Sequence, residues 1–223
     1  MQVVQPPQAV QETLEYSFVE QKRSYLIAKR IFDVVSASAA LLVLSPVFFV
    51  VSLLIKLDSE GPIIFKHKRI GKKGKPIALY KFRSMVNDAE AAIKRFTPEQ
   101  REEWEKNFKL ENDPRITKIG AFLRKTSLDE LPQLLNIIRG DLSVVGPRPV
   151  IGEELELYGE NKGKFLSATP GLTGYWQAYA RSDCSYEQRI EMELYYVENA
   201  SFWWDIKIIF ATVGAVLCAK GAR

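Results

Sequence analysis

The sequence is poor in the residues that build metal centres and disulfide frameworks. It has two cysteines, Cys184 and Cys218, and one histidine, His67. The cysteines lie far apart without metal-type spacing, which argues against a zinc site and against a disulfide framework. A Ser-His-Asp or Cys-His nucleophile system would depend on His67 alone, inside the basic run KHKR. Glycine-rich phosphate loops of the Walker and dinucleotide types are also absent.

The composition is that of a folded protein with one domain and appendages. Hydrophobic residues make up 47% of the chain and charged residues 26%, which excludes a disordered or collagen-like protein. No internal repeat is visible, so solenoid folds are excluded. The net charge of +4 is modest, and we predict no nucleic-acid partner.

One segment, residues 34–55, carries no charge and is long enough to cross about 30 Å of hydrocarbon as a helix. A long segment precedes it and no small-residue cleavage motif follows it, so we expect it to stay in the mature protein. Basic residues flank it on both sides, so neither flank is favoured for translocation. Pro46 predicts a kink at Ser45-Pro46, where Ser45 can satisfy a freed carbonyl. A re-entrant helix-break-helix and a single kinked span both fit this pattern.

Residues 1–22 are polar, contain a Pro-Pro pair and predict a loose extension. At the other end, residues 208–219 are apolar but too short to span a bilayer. They follow the aromatic run SFWWD, which suits the lipid headgroup level. This tail lies either in the membrane interface or against the core of the soluble part.

Between these ends, the pattern predicts an α+β, mainly helical catalytic domain. GPIIF and PIALYKF predict two short strands joined by the turn-rich run RIGKKGK. Residues 88–109 predict solvated helices broken near Thr97-Pro98. Helical periodicity follows in LPQLLNIIRG, which stops at Gly140, and in CSYEQRIEMELYYVENA.

The carboxylates Asp129 and Glu130 lie in the motif TSLDELPQLL. Proline fits only the first turn of a helix, which places Asp129 at or beside the N-cap. The helix dipole stabilises an anion there, so Asp129 should stay ionised, as a carboxylate nucleophile must. An ordinary cap has the same pattern, and both interpretations stay open.

Several cations accompany this pair. Arg124 precedes it, and Arg148 follows in VVGPRP, where two prolines hold the backbone rigid for bidentate capture of phosphate. Adjacent carboxylates with arginines suggest Mg²⁺-assisted phosphoryl transfer. Lys81 and Arg83 lie on one face of a predicted strand, for phosphate, the membrane surface or solvent. Trp176 in PGLTGYWQ either stacks on a base or sugar or packs in a plain turn.

Five segments together resemble the bacterial sugar transferase family, the monotopic polyprenyl-phosphate phosphoglycosyl transferases. They are KFRSM, NDPRITKIG, FLRKTSLDELPQLLNIIRGDLSVVGPRP, PGLTGYWQ and YYVENASFWWDIKI. The resemblance implies transfer of a sugar 1-phosphate from a UDP-sugar, leaning to a hexose, to undecaprenyl phosphate with release of UMP. It also implies the first membrane step of exopolysaccharide, capsule or glycan repeat-unit synthesis.

By the same resemblance, Asp129 forms a covalent phosphosugar intermediate, Glu130 with Asp129 holds Mg²⁺, and Arg124 orders the site. The resemblance also gives substrate-site or supporting roles to Arg148, Arg181 and Asp205, and the strand face makes Lys81 and Arg83 further candidates for substrate binding. The family often has Gly-Arg where this chain has Ala180-Arg181, which affects loop detail and sugar choice.

The implied architecture is a monotopic protein of the bacterial cytoplasmic membrane. The predicted regions are an extension (1–22), a re-entrant helix broken at Ser45 and Pro46 (23–57), a cytoplasmic catalytic domain (58–200) and an interfacial segment (201–223). The partners are the UDP-sugar, undecaprenyl phosphate and membrane lipids, and homo-oligomerisation is left open. Two other functions fit the same residues: a non-catalytic membrane scaffold and a diphosphate hydrolase.

Overall fold

The computed structural model describes residues 18–93, 96–107, 110, 113–180 and 184–217. In this part of the chain helices dominate and strands form two small two-stranded sheets, which confirms the α+β class. The helices are α1 (Arg23–Val43), α2 (Ser45–Asp58), α3 (Ala89–Ala92), α4 (Pro98–Asn107), α5 (Lys118–Thr126), α6 (Gln133–Arg139), α7 (Gly152–Glu156), α8 (Lys162–Leu166), α9 (Tyr175–Tyr179), α10 (Tyr186–Asn199) and α11 (Phe202–Leu217). The strands are β1 (Ile64–Ile70), β2 (Pro76–Phe82), β3 (Ser143–Val145) and β4 (Gly171–Thr173).

Several predicted elements are confirmed. Strands β1 and β2 pair as predicted, but β1 begins and ends later than GPIIF and includes the first two residues of the predicted turn run. The rest of that run contains a 3₁₀ turn at Lys72–Gly74. The break between α3 and α4 spans Thr97, and α6 ends before Gly140, whose φ of +89° is a conformation that favours glycine. The pair β3 and β4, which is parallel, was not predicted, because PGLTG is dominated by turn residues.

The chain separates into two compact units, which we call the N-unit and the P-unit. The N-unit contains Ala39–His67 and Tyr80–Leu134. The P-unit contains the described residues up to Ser38, Lys68–Leu79, and the described residues from Leu135 onward. Each unit has its own buried residues.

Helices α1 and α2 meet at a sharp break. They are bent by 62°, and Pro46 occupies the first turn of α2. The hydroxyl of Ser45 donates to the Leu42 carbonyl at 2.8 Å, as the proline break predicted. Among the described residues no single helix is long and apolar enough to cross a bilayer, whereas α1 and α2 reach that length and hydropathy together.

The core of the N-unit joins α2 to the elements that follow it. Val51 and Ile55 of α2 pack with Phe82 of β2 and Leu123 of α5, and all four are almost fully buried. The partly buried Leu128 and Leu131 pack against this cluster. The loop after α5 therefore rests on the buried side of α2.

The core of the P-unit lies around the parallel strands β3 and β4. Gly146 and Gly171 bring their backbones together, because a Cβ on Gly171 would lie 2.0 Å from the Gly146 nitrogen. Val197 of α10 and Ile208 of α11 are fully buried in the same cluster. Helix α11 includes most of the predicted apolar tail. Its Ile208 packs into this cluster, whereas its Trp203 stays exposed.

Candidate active site

The acid pair follows directly after α5. Thr117 caps the start of this helix, where its hydroxyl accepts from the Gly120 N–H, and Ser127, with a φ of +57°, caps its end. A left-handed residue at a helix end reverses the chain and costs about 1–2 kcal/mol when it is not glycine. The chain then enters a 3₁₀ turn, Leu128–Glu130, which holds both carboxylates.

The acid pair therefore precedes the helix that the proline predicted rather than capping it. Helix α6 begins at Gln133, after Pro132, so Asp129 lies in the separate 3₁₀ turn. The difference arises because the turn after Ser127 forms its own short hydrogen-bonded segment, with Leu131 N–H donating to Leu128 O.

Lys81 holds the two carboxylates together. Its Nζ lies 2.6 Å from Oε1 of Glu130 and 4.0 Å from Oδ2 of Asp129. The first distance is a charge-assisted hydrogen bond, whereas the second is a longer electrostatic contact. One ammonium group therefore interacts with two carboxylates, and its interaction with Asp129 is the weaker of the two.

The electrostatic setting of Asp129 differs from the one expected at a helix start. Burial raises the pKa of Asp129, Lys81 and Arg124 lower it, and the neighbouring Glu130 raises it; the net direction is upward. Asp129 is 9% exposed, so loss of hydration outweighs the stabilisation by nearby cations. A poorly hydrated carboxylate is a better nucleophile than a fully hydrated one.

Arg124 lies in the last turn of α5, and its charge acts on Asp129 and on Asp113. Asp113 itself makes a bidentate pair with Arg115 at 2.8 and 2.6 Å, and Arg115 packs over the ring of Phe96. Asp113 and Arg115 of this motif are therefore bonded to each other, whereas the charge of Arg124 acts on Asp129.

Arg83 takes a different position from Lys81. It follows the last residue of β2, and its Nη2 donates to the carbonyl and the hydroxyl of Ser59 at 2.6 and 2.9 Å. Arg83 is 6% exposed. Lys81 and Arg83 were predicted to share one strand face, but β2 ends at Phe82, before Arg83. Arg83 instead bonds to Ser59, the residue that follows α2.

In the P-unit, Arg148 lies with Arg189 against Trp176. The two guanidinium carbons are 5.8 and 4.7 Å from the indole ring centroid. Trp176 is on α9, and its indole N–H donates to Sγ of Cys184 at 2.9 Å. The ring is thus contacted by guanidinium groups of the protein, which favours the packing interpretation of this tryptophan.

The sequence reasoning missed Glu193, which organises this arginine cluster. Glu193 is 1% exposed and accepts from the Arg148 backbone N–H, from the Tyr158 hydroxyl at 2.7 Å and from Arg189 Nε at 3.3 Å. Arg189 and Glu193 are four residues apart on α10. Their helical spacing was a signal that could have identified the pair from the sequence.

Asp205 of the P-unit accepts hydrogen bonds from three side chains. It accepts from Tyr25 at 2.9 Å, Lys29 at 2.6 Å and Tyr196 at 2.7 Å, and it is 4% exposed. These contacts join α1, α10 and α11. Arg181, the remaining predicted residue, lies outside the described residues.

The donor set at the acid pair fits a magnesium ion shared with a substrate. Mg²⁺ is usually held by one or two carboxylates together with substrate phosphates. Asp129 and Glu130 offer two carboxylates around a common Lys81. Across the described ranges no group of three or more His, Cys, Asp and Glu side chains forms a protein-only cage.

Adjacent carboxylates with a lysine and an arginine are typical of enzymes that transfer phosphate groups. Comparison with known proteins gives the same class. The pattern described as "Bacterial sugar transferase" matches residues 24–219. The chain therefore belongs to the bacterial sugar transferase family, as its motifs indicated.

Three curated relatives illustrate the match. The chain is 47% identical over 199 residues to "Exopolysaccharide production protein ExoY" of Rhizobium meliloti, covering 88% of each chain. It is 46% identical over 204 residues to "Undecaprenyl-phosphate galactose phosphotransferase" of Salmonella typhimurium, covering 90% of this chain and 43% of the relative. It is 41% identical over 196 residues to "UDP-glucose:undecaprenyl-phosphate glucose-1-phosphate transferase" of Escherichia coli, covering 84% and 39%. The chain thus spans less than half the length of the last two.

Proposed function

We propose that this protein transfers a sugar 1-phosphate from a UDP-sugar to undecaprenyl phosphate and releases UMP. The observation that carries the proposal is the pair Asp129 and Glu130, of which Asp129 is buried and both share Lys81. Undecaprenyl phosphate appears in the names of two relatives, which supports this lipid as the acceptor. The product would begin a glycan repeat unit, in keeping with the exopolysaccharide role that one relative's name states.

In the first half-reaction, a carboxylate oxygen of Asp129 attacks the β-phosphorus of the UDP-sugar. The bond from this phosphorus to the bridging oxygen breaks, UMP leaves with that oxygen, and the sugar phosphate stays on Asp129 as an acyl phosphate. Lys81 and Arg124 favour the ionised form of Asp129, because their charges oppose the effect of burial on its pKa.

In the second half-reaction, an oxygen of undecaprenyl phosphate attacks the same phosphorus and the Asp129 carboxylate leaves. The lipid diphosphate sugar forms, and the protein returns to its starting state. Glu130, with Asp129, would hold Mg²⁺, which neutralises diphosphate charge when it is bound. Glu130 also fixes Lys81 beside the reacting carboxylate through their 2.6 Å contact.

For the membrane, we propose that α1 and α2 form a re-entrant hairpin in the cytoplasmic membrane, with the acid pair on the cytoplasmic side. The 62° bend and the Ser45 hydrogen bond support this arrangement. Val51 and Ile55 of α2 are buried, but other apolar side chains of this helix face outward; Phe49 and Leu57 are 72% and 77% exposed. Outward-facing Trp203 and Phe210 of α11 suit the interface.

The chemical test uses the purified protein in lipid nanodiscs and a UDP-sugar labelled in the β-phosphate. We expect label on the wild-type protein, UMP release in step with it, and transfer of the label when undecaprenyl phosphate is added. Wild-type labelling of the Asp129→Asn variant would remove Asp129 as nucleophile. A scaffold releases no UMP, and a hydrolase yields free sugar phosphate without lipid. A panel of UDP-sugars, with UDP-galactose and UDP-glucose first, then identifies the donor.

The topology test uses single cysteines at Glu20 and Glu60, introduced after Cys184 and Cys218 are changed to serine. A membrane-impermeant thiol reagent is added to intact spheroplasts and, as the control, to lysed ones. A re-entrant hairpin protects both cysteines until lysis. Labelling of one cysteine in intact spheroplasts would establish a span instead.

A further inference from the structure

The C-terminal end of α2 is bonded to two other segments of the N-unit. Oδ2 of Asp58, the last residue of α2, accepts from the Ile119 N–H at 3.2 Å. The next residue, Ser59, accepts two hydrogen bonds from Arg83. The first contact reaches α5 and the second reaches the chain just after β2.

The contact with α5 completes a helix cap. The first N–H groups of an α-helix have no partner within the helix and need one from outside. In α5, Thr117 satisfies the Gly120 N–H, and Asp58 of α2 satisfies the Ile119 N–H. The carboxylate also lies at the positive end of the α5 dipole, where a negative charge is favourable.

The two bonded segments are those that carry the reacting groups. Helix α5 leads through Ser127 into Asp129 and Glu130, and Lys81 lies two residues before Arg83. Leu128, next to Asp129, packs on the cluster that contains Val51 of α2. The distance between the acid pair and Lys81 therefore depends on the contacts that α5 and the end of β2 make with the end of α2.

We propose that Asp58 is a positioning residue, which anchors α5 to the end of α2 and thereby sets the distance between Asp129 and Lys81. This inference rests on the proposed function, in which Asp129 attacks phosphorus. A carboxylate that moves by a fraction of its 4.0 Å separation from Lys81 loses both charge support and alignment with the substrate.

The experiment is a single-turnover measurement with the β-phosphate-labelled UDP-sugar on the full chain in nanodiscs. The rate constant of protein labelling reports the alignment of Asp129, whereas its amplitude reports the fraction of folded protein. The variants are Asp58→Ala, which removes the acceptor, and Asp58→Asn, which keeps a side-chain oxygen. Glu60→Ala is the matched control, because Glu60 is an exposed carboxylate two residues away.

We expect Asp58→Ala to lower the rate constant by about tenfold or more. Asp58→Asn and Glu60→Ala should keep it close to the wild-type value. A lower amplitude with an unchanged rate constant in Asp58→Ala would show a purely structural role and overturn the inference, as would an Asn variant as slow as the Ala variant. If the wild-type protein takes up no label, the proposed function fails instead.

Discussion

Asp129 in the N-unit and Asp205 in the P-unit are both buried carboxylates with a lysine beside them. Asp205 accepts from Lys29 at 2.6 Å and from two tyrosine hydroxyls, Tyr25 and Tyr196. Asp129 lies 4.0 Å from Lys81, which makes its short contact with Glu130. Burial costs both groups hydration, but only Asp205 recovers it through short bonds within the protein.

The comparison separates a carboxylate used for structure from one suited to chemistry. A fully bonded acid joins helices and has few lone pairs left for a substrate. An acid with a longer, shared contact keeps its reactivity at a cost in stability, which is common at functional sites.

The largest effect is expected for Asp129→Asn. Labelling by the UDP-sugar should fall by at least about a thousandfold, because an amide cannot form the acyl phosphate. The free energy of unfolding should stay equal or rise at neutral pH. The pKa of Asp129 is raised in the folded state, so its ionised form opposes folding, and increasingly so as the pH rises from the ordinary carboxyl range through the raised pKa.

Denaturant unfolding of this variant in detergent measures the second half of that prediction, with Glu60→Ala as the control. A substantial loss of stability in Asp129→Asn would mean that Asp129 is a structural acid like Asp205, and the contrast between the two would be lost.

Asp205→Ala should have the opposite profile. Removing one partner of a buried ion pair costs about 3–5 kcal/mol, because Lys29 and the tyrosine hydroxyls lose their acceptor. The rate constant of labelling in the remaining folded protein should not change. Tyr25→Phe, which removes one donor of the three, should cost about 1 kcal/mol. A slower rate constant at full stability would place Asp205 in the reaction.

Lys81→Met should alter the pH dependence of the labelling rate. Activity requires ionised Asp129, so the rate falls as the pH drops through the Asp129 pKa. Lys81 lowers that pKa against the effect of burial, and its removal should move the acid limb to higher pH. Lys66→Met, which removes an exposed lysine of β1, should leave the limb in place. An acid limb that stays or moves to lower pH in Lys81→Met would contradict this electrostatic role.

The smallest effect is expected for Ser45→Ala. Loss of one neutral hydrogen bond to the Leu42 carbonyl should lower the free energy of unfolding by about 1 kcal/mol. The bend should remain, because Pro46 still interrupts the helix. Thermal unfolding in detergent gives the first quantity. A loss as large as that of Asp205→Ala would mean that the break depends on the serine rather than on the proline.

Much of the local structure could be predicted because its causes are local. Pro46 and Gly140 ended helices at the expected positions, and the periodicity of residues 186–199 gave α10. The pair β3 and β4 was missed, because a three-residue parallel pair leaves no periodicity to detect. The 3₁₀ turn of the acid pair was missed because it depends on the left-handed Ser127.

The candidate site was predicted in its residues but only partly in its contacts. Asp129, Glu130 and Lys81 come together, and Arg124 acts on them through its charge. Arg83 bonds to Ser59. The alternation of side chains along a strand could not predict this contact, because β2 ends before Arg83. The magnesium ion and the roles of the individual residues stay predictions.

The sequence by itself determined which functional features the protein has, namely a charge-free segment with a proline break, an acid pair and the cations near that pair. These features depend on residue type and near neighbours. Only the tertiary structure decided which carboxylate would be satisfied and which left with a shared lysine. Tyr25 and Asp205 are 180 residues apart, and Lys81 and Glu130 are 49 apart. Such partners meet only when the chain packs, because burial and long-range bonding are properties of the folded whole.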